Sequence, residues 1–198
     1  MESPFVFGNL AVGDSFVNRK KDIDRLAGNY HNRINTILMS PRRWGKSSLV
    51  RQTAISNSGK NEYCFCFIDL FKVRTESEFY SEFARQIIKS TSDKLEGWMS
   101  MTKKFLQRIS PKISVSMAHN ADIDLQFELK EKAEYDELLN LGEEIAERKK
   151  MRIIICIDEF QNIEFFDDPL GFQKKLMAYW QHHRNVVYCL YGSERHVM

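Results

Sequence analysis

Long apolar runs are missing from this chain. None approaches the roughly 18 residues needed to cross a bilayer, which argues against a membrane-spanning protein. The N-terminus, MESPFVFGNL, lacks a basic stretch followed by an apolar core, so no secretory signal is expected. The four cysteines, Cys64, Cys66, Cys156 and Cys189, form no C-x-x-C pair. All four fall in apolar, strand-like runs, so the expectation is buried free thiols in a reducing cytoplasm rather than a disulfide or metal framework. An excess of one charge sign is also absent: 29 Lys and Arg against 27 Asp and Glu leave a net charge of +2. No global field therefore favours nucleic acid or an anionic membrane, although a local basic patch stays open. No internal repeat or low-complexity tract interrupts the sequence.

What remains is an ordinary soluble composition. With 43% hydrophobic residues over 198 positions, the chain can bury a core as one domain. Four short apolar runs stand out: Ile34–Met39, Tyr63–Leu70, Arg152–Ile157 and Val186–Tyr191. Most are continuous rather than alternating, which suits parallel strands covered by helices on both faces. Helical patterns lie between them. One runs over Lys46–Ser56; another, over Glu76–Lys89, sets Phe79, Phe83 and Ile87 on one stripe. A third, over Leu170–His183, carries Phe172, Leu176, Tyr179 and Trp180. Alternating strand and helix predicts a parallel α/β sheet. Between about 92 and 150 the rhythm breaks into an amphipathic helix (Leu95–Ile109), two alternating segments (Ile113–Met117 and Ile123–Leu129) and a charged helix (Tyr135–Lys149). The alternating segments read as a β-hairpin inserted into the α/β core.

Directly after the first strand stands Ser40-Pro41-Arg42-Arg43-Trp44-Gly45-Lys46-Ser47-Ser48. It follows the G-x-x-x-x-G-K-[ST] phosphate-loop pattern, the Walker A motif, except that Ser40 replaces the first glycine. Such a loop turns its backbone N–H groups onto phosphate oxygens, and the helix beginning at Lys46 aims its positive end at the anion. Lys46 would reach the β- and γ-phosphates, and the Ser47 hydroxyl would ligate Mg²⁺. Ser48 would support the helix start or the α-phosphate region. Serine tolerates positive φ less readily than glycine, so the departure bears on turnover more than on binding.

The third strand ends in Asp158-Glu159, as a Walker B motif does. Asp158 would hold Mg²⁺, and Glu159 would orient and deprotonate an attacking water. Ligands of open α/β sheets sit at the carboxyl ends of strands, so this pair and the phosphate loop should converge. The fourth strand ends at Tyr191-Gly192-Ser193. If it inserts between the other two, Ser193 becomes a candidate γ-phosphate or water sensor; otherwise it is a turn serine. Arg42, Arg43 and Arg51 would assist phosphate binding, touch DNA, be solvated or pair with local carboxylates. Trp44 would be a packing lid or an exposed contact. Arg184 is a weaker candidate for an arginine finger toward a neighbouring subunit. His182 and His183 have no ligand partner at metal spacing.

With these segments, Phe16–Leu26 (FVNRKKDIDRL), Ser40–Leu49 (SPRRWGKSSL), Ile154–Ile163 (IICIDEFQNI) and Tyr191–Met198 (YGSERHVM), the chain resembles the AAA+/STAND-type ATPases known as archaeal-type ATPases. The resemblance spans essentially residues 1–198 and includes the interval Pro111–Lys150. It implies a three-layer P-loop NTPase fold of the ASCE class, with Glu159 as catalytic glutamate and Ser193 at a sensor position. It also implies that the segment around Val12, Phe16, Val17 and Arg19 borders the adenine, although Phe16 and Val17 would equally serve as core. Members of the family continue into a fifth strand, a helical lid and often a winged helix. The sequence stops just after the fourth strand, so these are expected to be absent, and no second arginine sensor is assignable.

The reading is then Mg²⁺-dependent ATP binding and hydrolysis that drives a conformational change, with Lys46, Glu159 and Ser193 as the catalytic set. A rival is a nucleotide-gated switch, alternating between ATP and ADP, for a DNA or protein partner with little turnover. A small-substrate kinase is disfavoured by the glutamate after Asp158. Adenine over guanine rests on the resemblance, since no N-K-x-D segment is present. Homo-oligomerisation stays open.

Overall fold

Continuous apolar strands need cover on both faces, and the computed structural model shows how that is met for the central strands. It describes residues 10–16, 18–58, 63–91, 104, 114–117, 123–126 and 136–193. In chain order come helix α1 (Lys20–His31), strand β1 (Thr36–Ser40), α2 (Lys46–Asn57), β2 (Tyr63–Asp69), α3 (Glu76–Thr91), β3 (Ser114–Met117) and β4 (Ile123–Gln126). They are followed by α4 (Leu141–Lys149), β5 (Arg152–Asp158), α5 (Pro169–Trp180) and β6 (Val186–Ser193). Short 3₁₀ turns precede α1 and α4 and follow β5. The main sheet has the order β1-β6-β5-β2, all parallel. β3 and β4 pair antiparallel as a separate hairpin.

Period-two alternation explains why the central strands read as unbroken apolar runs. Ile153, Ile155 and Ile157 of β5, with Tyr188 and Leu190 of β6, enter a core shared with α3, α4 and α5. Ile154 and Cys156, with Val187, Cys189 and Tyr191, enter a second core under α1 and α2. Every residue of β6 is buried, as a central strand between two helical layers requires. This three-layer arrangement is the expected P-loop architecture.

The helices start where local chemistry dictates. Thr75 Oγ1 accepts the Glu78 backbone N–H ahead of the α3 stripe, and Phe79, Phe83 and Ile87 are all fully buried. Asp168 caps α5 by accepting the Gly171 N–H at 2.9 Å, with Pro169 at the first helical position. α4 lies inside the interval read as an insertion, yet Leu141, Ile145 and Ala146 pack into the main core beside α3. The helix expected over Leu95–Ile109 lies outside the described residues, Lys104 excepted. The described hairpin strands fall within the two alternating segments, whose remaining residues lie outside the described ones.

Burial accounts for the cysteines and for His183. Cys66, Cys156 and Cys189 are buried and Cys64 is half-buried, all as free thiols. His183 sits between the Tyr188 hydroxyl, 2.8 Å from Nδ1, and Asn140 Oδ1, 3.2 Å from Nε2. Desolvation lowers its pKa, which favours the neutral imidazole at this half-buried position. Arg184 stands at the amino end of β6, the end opposite Ser193. The neighbouring carboxylate of Glu143 accepts the backbone N–H groups of Arg184, Asn185 and Val186 and fixes the entry to that strand.

Candidate nucleotide site at the carboxyl ends of the strands

The loop from Ser40 to Gly45 joins β1 to α2 with two backbone positions in the left-handed region, Arg43 at φ 64° and Gly45 at φ 69°. Ser40 is not among them; it ends β1 in ordinary extended pairing beside Ser193. The strain anticipated at Ser40 is therefore carried at Arg43, two residues before the glycine. No side chain caps the α2 N-terminus. Its first N–H groups are thus left for a ligand, and the helix dipole favours an anion there. Arg42, Arg43 and Trp44 are exposed, and Pro41 is half-buried. Trp44, at 67% exposure, is a surface contact rather than a packing lid.

Lys46 folds back onto its own loop. Its Nζ donates to the carbonyls of Ser40 at 2.7 Å and Pro41 at 2.9 Å, and lies 3.3 Å from Ser40 Oγ. The ammonium is thereby held against the loop between β1 and α2. Ser47, the next residue, turns the other way: its hydroxyl donates to Asp158 Oδ2 at 2.8 Å, joining α2 to the end of β5 across 111 positions of sequence. Ser48 is buried and its Oγ accepts the Ala11 N–H at 3.1 Å, while Gln52 accepts that of Gly13 at 2.6 Å. These two bonds lay the segment before α1 along α2.

β6 lies between β1 and β5, so Ser193 ends its strand between the phosphate loop and the acidic pair; it is 8% exposed. At the end of β5, Glu159 adopts φ 52°, a left-handed conformation unfavourable for a side-chain-bearing residue. Its N–H donates to Asp158 Oδ1 at 2.8 Å. Burial raises the Asp158 pKa from its ordinary value; the Ser47 hydroxyl and the Glu159 N–H oppose this, while the charges of Glu159 and Asp69 add to it. Asp69, which neither motif marks, ends β2 directly beside Asp158 in register. Its signal in the sequence is the matching pair of strand endings, FID and CID. The oxygen set of Ser47 and Asp158 suits a hard divalent cation such as Mg²⁺.

The raised pKa has a stability consequence. A carboxyl that binds its proton more tightly in the folded chain contributes stability at low pH that is lost as pH rises through the folded value. At neutral pH the Asp158 charge therefore opposes folding of the nucleotide-free protein. Asp158→Asn is expected to raise the melting temperature at neutral pH, with the gain shrinking under mildly acidic conditions. Thermal melts of the two proteins across pH check this; an equal or lower melting temperature at neutral pH refutes it.

Arg19 reaches the phosphate loop itself. Its guanidinium donates to the carbonyls of Trp44 at 3.1 Å and Gly45 at 3.4 Å and is held by Asp22 at 2.8 Å. Phe16 packs against the α1–α2 core and also lines a cleft of about 590 Å³ with Asn18, Arg19, Ile23 and Gln52. Val17 lies outside the described residues.

The family model for an ATPase domain predominantly from Archaea matches residues 16–198. The chain belongs to this ATPase family. No curated protein matches it. Among solved structures, a Walker-type ATPase of Pyrococcus abyssi is similar at a TM-score of 0.56 and 20% identity, covering 96% of this chain and 49% of that one. The ORC2 protein of Aeropyrum pernix, solved in ADPNP–ADP complexes, is similar at 0.56 and 12% identity, covering 96% and 44%. The ORC1 protein of the same organism, solved with DNA, is similar at 0.52 and 12%, covering 92% and 40%. At these identities the likeness is one of fold, and the chain spans less than half the length of each. No described helix of this ATPase domain is long and apolar enough to cross a membrane.

Proposed function

We propose that this domain binds ATP with Mg²⁺ and hydrolyses it, using the fold to convert the reaction into a conformational change. The observation that carries the reading is the convergence of Lys46, Ser47, Asp158 and Glu159 from α2 and β5 onto one end of the sheet, with Ser47 bonded to Asp158. The phosphates would lie over the uncapped α2 N-terminus, within the backbone of Ser40 to Ser48. Lys46 would exchange its carbonyl bonds for the β- and γ-phosphate oxygens. Ser47 and Asp158 would hold Mg²⁺, which when bound supplies neutralisation of phosphate charge. Glu159 would take a proton from the attacking water as the new P–O bond forms and the bond to the bridging oxygen breaks, that oxygen leaving with ADP. Ser193 would contact the γ-phosphate or that water. The cleft beside Phe16 and Arg19 would receive the adenine, with Val17 next to it in sequence.

Phosphate release by the purified chain, followed with ATP and Mg²⁺ before and after chelation by EDTA, tests the reading. Release that stops on chelation and resumes with added Mg²⁺ supports it. Release indifferent to EDTA rejects the Ser47–Asp158 assignment.

The second reading, a nucleotide-gated switch for DNA or a protein with little turnover, draws on the exposed Arg42, Arg43 and Trp44 at the loop surface and on a fold neighbour solved with DNA. Binding of single- or double-stranded DNA that changes between ATP and ADP, with negligible phosphate release, would favour it. A cytoplasmic location, where buried thiols such as Cys66, Cys156 and Cys189 stay reduced, belongs to the same proposal.

A further inference from the structure

The turn after β5 contains a side chain that neither motif assigns. Gln161 lies two residues beyond Glu159, on the 3₁₀ turn Phe160–Phe165. Its Nε2 donates to Glu159 Oε2. Its own Oε1 is buried without a hydrogen-bond partner. An orphaned buried acceptor is unfavourable, so the amide is held where it is by something other than its own satisfaction. The space it fills belongs to β6: a methyl group at Gly192 would stand 1.9 Å from Gln161 Oε1 and 3.0 Å from its Cδ. Glycine at 192, immediately before Ser193, leaves the room in which the Gln161 amide sits. The amide that bonds Glu159 thus lies against the strand that carries the candidate sensor.

We propose that Gln161 is the positioning residue for Glu159, holding its carboxylate toward the phosphate side of the sheet, and that Gly192 exists to seat it. The inference rests on the hydrolytic reading above. A left-handed backbone at Glu159 starts its side chain in an uncommon direction, and a single rotatable carboxylate would otherwise sample several orientations. A fixed donor removes that freedom at no cost in charge. The carboxylate then meets the attacking water from one direction in every turnover.

The experiment compares the full chain with Gln161→Ala, Gln161→Met and Gly192→Ala for Mg-ATP affinity and single-turnover phosphate release, with Glu159→Gln as control. Methionine fills the same space but donates nothing. Gln161→Ala and Gln161→Met are each expected to slow release by about 10²-fold, with affinity within about twofold of the parent. Gly192→Ala should displace the flexible amide rather than the backbone and slow release similarly. Adding Gln161→Ala to it should bring no further loss, because both remove one interaction. Release near the parent rate in Gln161→Met overturns the role in favour of simple packing, as does a parent rate in Gln161→Ala. If Gly192→Ala fails to fold, the two Gln161 variants still decide. A parent chain no faster than Glu159→Gln is a different result: it overturns the hydrolytic reading, and the positioning role falls with it.

Discussion

Replacing Lys46 by alanine is expected to abolish ATP binding. The ammonium sits between the carbonyls of Ser40 and Pro41, so phosphate binding there needs only an exchange of acceptors. Hydrogen bonds to charged groups contribute roughly 1.5–3 kcal/mol each, and Lys46 would make two to the phosphates. Losing both corresponds to a weakening of about 10²–10⁴-fold in affinity. Isothermal titration with Mg-ATP measures it directly. The loop should survive the change, because Arg19 independently holds the carbonyls of Trp44 and Gly45. A melting temperature close to the parent's, with binding gone, is the expected pair of results. Unchanged affinity in a folded variant would sink the site assignment.

Glu159→Gln should leave Mg-ATP affinity nearly intact while turnover falls by roughly 10²–10⁴-fold, the span a general base contributes. The isosteric amide keeps the shape of the turn but cannot take the proton of the water. Asp158 is the neighbouring carboxylate and does not substitute, since the Ser47 hydroxyl and the Glu159 N–H already occupy its oxygens. Labelled phosphate release, read beside the titration, separates the two effects. Equal loss of binding and turnover would mean that Glu159 serves the nucleotide pocket rather than the reaction.

Much of this arrangement is legible in the amino-acid sequence. The parallel sheet follows from four apolar runs whose residues leave no polar face, and the strand between Arg152 and Asp158 is recognisable by both its run and its carboxyl ending. The phosphate loop is legible because its chemistry demands a fixed local spacing. Gln161 is not, and Asp69 shows only as a strand ending that matches that of Asp158, for a shared reason: each matters through a neighbour brought close by β pairing or by a turn. Asp69 meets Asp158 only through the β2–β5 register, and Gln161 meets Gly192 only because β6 inserts beside β5. Resemblance places Arg19 near the base, and its bonds to the carbonyls of Trp44 and Gly45 add a role in the loop that sequence spacing does not display. Serine at position 40 raises a question about left-handed backbone that composition does not resolve, and Arg43 carries that conformation instead.

The three buried thiols have a use beyond packing. Cys156 and Cys189 face each other across β5 and β6, Cys66 lies on β2, and burial pushes the Cys66 thiol up to about 12. An alkylating reagent must reach a thiolate, and none of the three is open to solvent, so they are inert until the sheet parts. The molecule thereby carries its own opening clock at the centre of the domain, with half-buried Cys64 marking lesser local motion at the edge strand. Any ligand that binds only the closed sheet must slow that clock. At a concentration about 100 times its dissociation constant it adds about 2.7 kcal/mol to closure, close to a hundredfold in labelling rate. Occupancy of the nucleotide site is thus readable from modification of residues that never touch nucleotide.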